Sequence, residues 1–199
     1  MTETANRLIA RIRDLEDQLE AEFARRRADF RFRVEKHRVI FEEAVMRRQQ
    51  ALKQRLWPYV RGARPLVILT APVIYSIILP FVLLDLFVTV YQAVCFPVYG
   101  IAKARRRDYI ILDHQHLAYL NGLEKLNCAY CSYANGLIAY VREIAARTER
   151  HWCPIKHARR MQGPHPHYPE FAEYGDAETY RKIIAQKPSY PEKTPPGAD

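Results

Sequence analysis

Apolar residues recur at Leu8, Ile12, Leu15, Leu19, Phe23, Phe30, Val34, Phe41 and Val45, at spacings of three, four and seven. Such spacing places them on one stripe of a helix. Residues 5–57 contain neither Gly nor Pro, and Thr2 or Thr4 can cap the start. The pattern predicts one long amphipathic helix over residues 1–57, about 75 Å long for fifty residues. A helix of that length cannot bury its stripe alone, so a coiled coil or a helix docked on a partner is expected. Arg26 and His37 interrupt the stripe and argue against a strict two-stranded zipper. The plainer alternative is a solvated, charge-rich helix lying along a membrane face.

The pattern changes at Pro65. Leu66 to Tyr99 is 34 residues of almost unbroken apolar sequence. As one helix it would measure about 50 Å, against a hydrocarbon core of about 30 Å. Two arrangements of a membrane segment over 65–101 follow. In a hairpin, residues 66–79 enter, the chain turns around Pro80 to Asp85, and residues 86–101 return. In a single broken span, residues 66–84 cross and residues 86–99 lie in the far interface. Pro72, Pro80 and Pro97 are expected to break or kink these helices. Asp85 is the only charge between residues 65 and 102, and an isolated carboxylate in hydrocarbon is costly. It reads as a turn and topology marker, or alternatively as an intramembrane proton or ion ligand.

Charge refines this picture. Residues 1–64 hold 16 Lys/Arg against 10 Asp/Glu, and residues 103–199 hold 15 against 11. The cations crowd the apolar borders, with Arg61 and Arg64 before it and Lys103, Arg105, Arg106 and Arg107 after it. These six are the expected headgroup contacts. Cations on both flanks predict that both termini are cytoplasmic, which favours the hairpin. Nucleic-acid binding is the weaker explanation of the positive charge. The first nineteen residues read as charged periodic helix rather than as a secretory signal. Four cysteines in 199 residues are too few for a secreted disulfide scaffold.

The remaining chain predicts a small helical domain over 104–186. Residues 108–116 (DYIILDHQH) carry a short apolar run that suits a strand or a helix start. Residues 115–127 and 129–150 read as helices with Gly122 and Gly136 as weak points, and 170–186 can hold one more. Residues 187–199 read as a disordered tail. Cys128 and Cys131 form a CxxC pair, and Cys153 and His157 a CxxxH pair 22 positions later. Four such ligands in two short-spaced pairs suit tetrahedral zinc, or iron as a single ion or an iron–sulfur cluster. Buried free thiols and a redox-cycling CxxC are the competing readings. Asp113, His114 and His116 are possible additional ligands, with a polar surface near the headgroups as the plainer reading. Cys95 reads as a packing or lipid-facing residue, and His165 and His167 carry little signal. No GxxxxGK[ST], GxGxxG, GxSxG or HExxH occurs, so nothing points to nucleotide-driven, dinucleotide-dependent or serine-hydrolase chemistry.

The segments Asn127–Gly136 (NCAYCSYANG) and Trp152–Ala158 (WCPIKHA) resemble a family of uncharacterised bacterial inner-membrane proteins with an NCxYCxYANG…WCPIKHA motif pair. The resemblance covers residues 65–185. It implies a bacterial inner-membrane location and no particular reaction. Together these features predict a mostly α chain with a long N-terminal helix, a membrane-embedded helical hairpin and a small helical C-terminal metal module. The expected role is a membrane-anchored scaffold or accessory subunit rather than an enzyme, acting as a homo-oligomer or within a membrane complex. Zinc would stabilise the cytoplasmic module. The alternatives are an iron or iron–sulfur electron-transfer subunit and an oligomeric membrane-shaping hairpin protein.

Overall fold

The computed structural model describes residues 3–28, 32–35 and 38–187. The fold is mostly helical, in two compact units: the chain up to Ile68 with Leu112–Ala129, and Leu69–Ile111 with the chain from Tyr130 onward.

In the first unit, helix α1 (Glu3–Ala28) follows from a run without Gly or Pro, supported by exposed four-residue pairs such as Glu22–Arg26 (3.3 Å) and Asp14–Gln18 (2.9 Å). Its stripe residues Leu8, Ile12, Leu15, Leu19 and Phe23 are all exposed. The helix expected over residues 1–57 stops at Ala28. Strands β1 (Phe32–Glu35) and β2 (Arg38–Phe41) follow as an antiparallel hairpin, pairing Phe32 with Phe41 and Glu35 with Arg38. The reason is local: FRFRVE alternates apolar and charged residues with period two, and RVIF is β-branched and aromatic. Phe30 of the expected stripe, and His37, which interrupts it, lie outside the described residues. Short helices α2 (Glu43–Ala51) and α3 (Leu56–Arg61) complete the approach to the apolar segment.

That segment forms α4 (Pro65–Ser76) and α5 (Ile78–Tyr99), in effect one apolar helix of 35 residues. The expected hairpin turn at Pro80–Asp85 does not form, since those residues are helical. The only interruption is at Ile77. Pro80 lacks an N–H and its ring clashes with the carbonyl four residues back, which is Ser76, the last residue of α4. The break therefore places Pro80 in the first turn of α5, where no intrahelical N–H bond is needed. Gly100 ends α5 with φ 67°, and Ile101 N–H→Phe96 O (2.9 Å) with Gly100 N–H→Pro97 O (3.4 Å) completes a Schellman turn.

Helix α6 (Gly122–Trp152) replaces the two helices expected at 115–127 and 129–150. Asn121 caps it, accepting from the N–H groups of Leu123 and Glu124 (both 3.0 Å), while Glu124 accepts from Asn121 N–H (2.8 Å). This reciprocal capping box fixes the start. Residues 113–116 form a 3-10 turn rather than a strand or helix start. In the second unit α6 runs in the same direction as α5. Tyr130 meets Ile74 and Tyr75, Tyr133 meets Asp85, Tyr140 meets Gln92, and His151 and Trp152 meet Tyr99. Phe96, Ala104, Leu137, Tyr140 and Ile144 are the buried centre of this packing. Beyond α6, Ile155 pairs with Ala172, and helix α7 (Ala177–Ala185) starts at Asp176, which accepts from Thr179 N–H (2.9 Å). Apart from Lys187, the expected tail lies outside the described residues.

Gly136, expected to be a weak point, is a point of close approach. A Cβ there would lie 2.5 Å from the Tyr109 carbonyl oxygen and 2.9 Å from Ile110 Cα. Both are backbone atoms and yield only if the segment moves. Alanine normally gains about 1 kcal/mol over glycine inside a helix. At this site overpacking of about 1–3 kcal/mol opposes that gain. Gly136→Ala is therefore expected to lower the melting temperature in detergent; an unchanged or raised value would contradict the close approach.

Candidate functional site: an apolar helix with one polar seam

Along α5 the half-buried and buried positions include Ile78, Asp85, Gln92 and Tyr99, seven residues apart. On α6, Tyr133 and Tyr140 recur at the same interval. Seven-residue repeats keep one face of each helix against the other. Two of the layers are polar. Asp85 accepts from Arg106 at both guanidinium positions (Nη2 2.6 Å, Nε 3.1 Å), from Tyr133 O–H (3.0 Å) and from Thr89 O–H (3.4 Å). One turn of the repeat later, Gln92 donates to Tyr140 Oη (2.9 Å) and Ala104 O (3.2 Å), and accepts from Ala104 N–H (2.6 Å).

These bonds explain how an apolar helix tolerates Asp85 and Gln92. Both turn toward protein partners. An unpaired charge of this kind at a bilayer centre is disfavoured by about 2.5–3.5 kcal/mol on insertion scales. Asp85 is thus not the hairpin turn expected, and its carboxylate is committed to Arg106, Tyr133 and Thr89. Gln92 was not singled out by sequence reasoning. The available signal was its seven-residue spacing from Asp85 and Tyr99.

The opposite face of the helix is bare. Leu79, Leu83, Leu86, Phe87, Val90, Val94 and Val98 are all exposed, Phe87 at 69%. Their spacing forms a continuous stripe on the side away from the seam. Of the expected headgroup cations, Arg61, Arg64, Lys103, Arg105 and Arg107 are exposed, and Arg106 is the ion-pair partner of Asp85.

The proposed metal ligands are spread along and beyond α6. Cys128 and Cys131 lie within it, and Cys153 follows its last residue. At 1.5 Å per residue, the 22 residues from Cys131 to Cys153 separate them by about 33 Å. The four-ligand site expected from Cys128, Cys131, Cys153 and His157 therefore does not assemble within one chain. All four cysteines are free thiols, with Cys131 and Cys153 exposed. His157 stacks its ring on Tyr168 (6.2 Å) and donates its backbone N–H to that residue's hydroxyl (2.7 Å). Asp113, His114 and His116 share a 3-10 turn. Among the described residues no group of three or more His, Cys, Asp or Glu is placed to hold a metal ion.

A second polar cluster surrounds the later turns of α6. His165 is buried with Nε2 3.0 Å from Glu149, and His167 lies 3.5 Å from Glu143, which also accepts from Arg147 (2.7 Å). Burial alone would raise the Glu143 pKa, but the Arg147 hydrogen bond and charge, with His167, outweigh it and hold the carboxyl below the usual carboxylate range. A depressed carboxyl pKa stabilises the fold above the unfolded value and loses that contribution as pH falls through the folded value. The stability gap between wild type and Glu143→Gln is expected to be fully present above the unfolded carboxylate range and to narrow as pH falls through the depressed value of the folded state, as measured by urea unfolding in detergent. A gap independent of pH would contradict this role.

Nearby, a cavity of about 710 Å³ is lined by Tyr99, Arg147, Arg150, Phe171 and Lys187. Its cations are already engaged: Arg147 by Glu143, Arg150 by Glu170 (2.8 Å), and Lys187 by the carbonyls of Arg150 (2.8 Å) and His151. Lys187 thereby caps the carbonyl end of α6. Comparison of the chain with family models, curated proteins and solved structures gives no match.

Proposed function

We propose that this protein is a membrane-anchored scaffold or accessory subunit. The anchor is the apolar helix Pro65–Tyr99, and the module packed along its seam is the part displayed at the membrane surface. One observation carries the reading. The helix satisfies its polar residues on the seam side and leaves an aliphatic and aromatic stripe on the other. A bare stripe of this length on a water-soluble protein would be an aggregation liability, whereas against lipid it is stabilising. The cationic borders fit the cytoplasmic leaflet of a bacterial inner membrane, with both ends of the chain on that side.

The docking element of the scaffold is α1. Its exposed stripe Leu8, Ile12, Leu15, Leu19 and Phe23 recurs at three- and four-residue steps and needs an apolar partner. Self-assembly through α1 is the simplest use. The test is site-specific photocrosslinking from Leu15 and Leu19 in native membranes. Crosslinks to a second copy support self-assembly, and crosslinks to one other membrane protein support an accessory subunit. No crosslink from either site, with efficient capture from a control probe at Phe87 into lipid, would remove the scaffold role and leave only the anchor. Zinc or iron shared by all four Cys/His ligands of one chain has no place in this reading, because α6 holds the two pairs apart.

A further inference from the structure

We infer that the apolar helix lies in the plane of the membrane, its bare stripe in one leaflet, rather than crossing the bilayer. This rests on the membrane-anchored reading above and specifies its geometry.

Along the helix, charge accompanies the seam. Arg106 is fixed to Asp85 by two hydrogen bonds, and its neighbours Arg105, Arg107 and Asp108 are exposed in the same turn. Farther along, Arg147 donates to Ala102 O (2.7 Å), just past the end of α5, and Arg150 shares the cavity wall with Tyr99. Aliphatic surface accompanies the opposite side without a gap, from Leu79 to Val98. Along α5, polar and apolar surfaces are thus separated around the helix, not along it, while Leu66, Val67, Ile68 and Leu69 of α4 are exposed on every side.

A crossing needs the reverse: about 20 residues with lipid all round, and water beyond them. Each window that could cross conflicts with this arrangement. If Pro65–Leu84 crosses, Leu86, Phe87, Val90, Val94 and Val98 emerge bare into water, because α5 is continuous through Asp85 and has no break there to turn them into the far interface. If Pro80–Tyr99 crosses, the Arg105–Asp108 turn is carried into hydrocarbon with Asp85. The full helix, about 52 Å for 35 residues, exceeds the hydrocarbon thickness by about 20 Å. Laid in the plane, the stripe meets acyl chains along its whole length, and the charged turn and α6 face the headgroups. An ordinary interfacial helix carries its own polar face and sinks about 5–10 Å. Here the neighbouring α6 and the Arg105–Asp108 turn supply that polar face. Both cationic flanks then fall on one side of the membrane without a hairpin.

The experiment is a depth profile. Single nitroxide labels are placed at Leu79, Leu83, Phe87, Val90, Val94 and Val98, with the native cysteines replaced by serine, in phosphatidylcholine–phosphatidylglycerol vesicles. Relative collision rates with oxygen and with a water-soluble nickel chelate report depth. Similar shallow depths at all six sites are expected. A depth that changes steadily along the helix would overturn the in-plane geometry while leaving the anchor intact. Full access of the chelate to every site would overturn the anchor itself, and this inference with it. Unmodified protein in sealed inside-out membrane vesicles provides a second readout with the native cysteines in place. Trypsin added outside is expected to cut both at Arg61 and at Lys103–Arg107; cleavage on one flank only would mean that the helix crosses.

Discussion

Phe96→Ala is expected to destabilise the second unit by about 3–5 kcal/mol, the usual range for removing a fully buried phenylalanine. Phe96 has no exposed surface and sits among Leu137, Tyr140, Ile144 and Ala104, with Tyr91 edge-on at 5.7 Å. Truncation leaves a cavity between α5 and α6 at the Gln92 layer, where the Ala104 backbone is also held. The matched control is Phe87→Ala, nine residues earlier on the bare face. It should change stability in detergent by no more than about 0.5 kcal/mol, as for a surface position. Urea unfolding of both variants, followed by near-ultraviolet circular dichroism, separates the two faces. Equal losses would mean that the seam has been placed on the wrong side of the helix.

The second large effect concerns attachment. Burying a Leu, Phe or Val side chain is worth about 1.5–3 kcal/mol each. Replacing Leu83, Phe87 and Val90 together by lysine removes three such contributions from the bare stripe. Even if each side chain were only half immersed, the loss corresponds to a fall in membrane partitioning on the order of a hundredfold or more. The fold should survive, because none of the three contributes to the buried core of the second unit. Retained seam packing can be verified by unchanged near-ultraviolet dichroism of the released protein.

Much of this was legible in the sequence, for identifiable reasons. The apolar segment stands out because hydropathy is a property of single residues summed over a window. Helix α1 is clear for the same reason, in a stretch free of Gly and Pro. Misreadings arose where structure depends on a partner distant in sequence. Asp85 looked like a turn because its partners, Arg106 and Tyr133, come 21 and 48 residues later. Pro80 looked like a hairpin breaker, whereas a one-residue interruption at Ile77 accommodates it. The β1–β2 hairpin was absorbed into a helical stripe because Val34 and Phe41 happened to continue the seven-residue spacing. Gly136 reads as a helix weakness in the sequence because the Tyr109 backbone that lies over it belongs to a separate, earlier segment.

The cysteine motifs show the same limit. CxxC and CxxxH are visible as spacings, but a shared site requires the intervening chain to fold back. The Asn121–Glu124 capping box and the uninterrupted run through Gly136 make that chain one straight helix instead. The polar ladder of Asp85 and Gln92 was hidden because each residue, taken singly, looked like a defect in an apolar run. Only the common seven-residue spacing of both helices relates them.

Attachment of the chain to the membrane through the bare face of Pro65–Tyr99 is tested most directly by flotation. Wild-type protein and the Leu83→Lys/Phe87→Lys/Val90→Lys variant would be compared in density gradients of bacterial membranes washed with alkaline carbonate. The wild type is expected to float with lipid after the wash, and the folded variant to remain in the soluble fractions. Wild-type protein left behind in soluble form, or a folded variant that floats as well as the wild type, would contradict anchoring through this face.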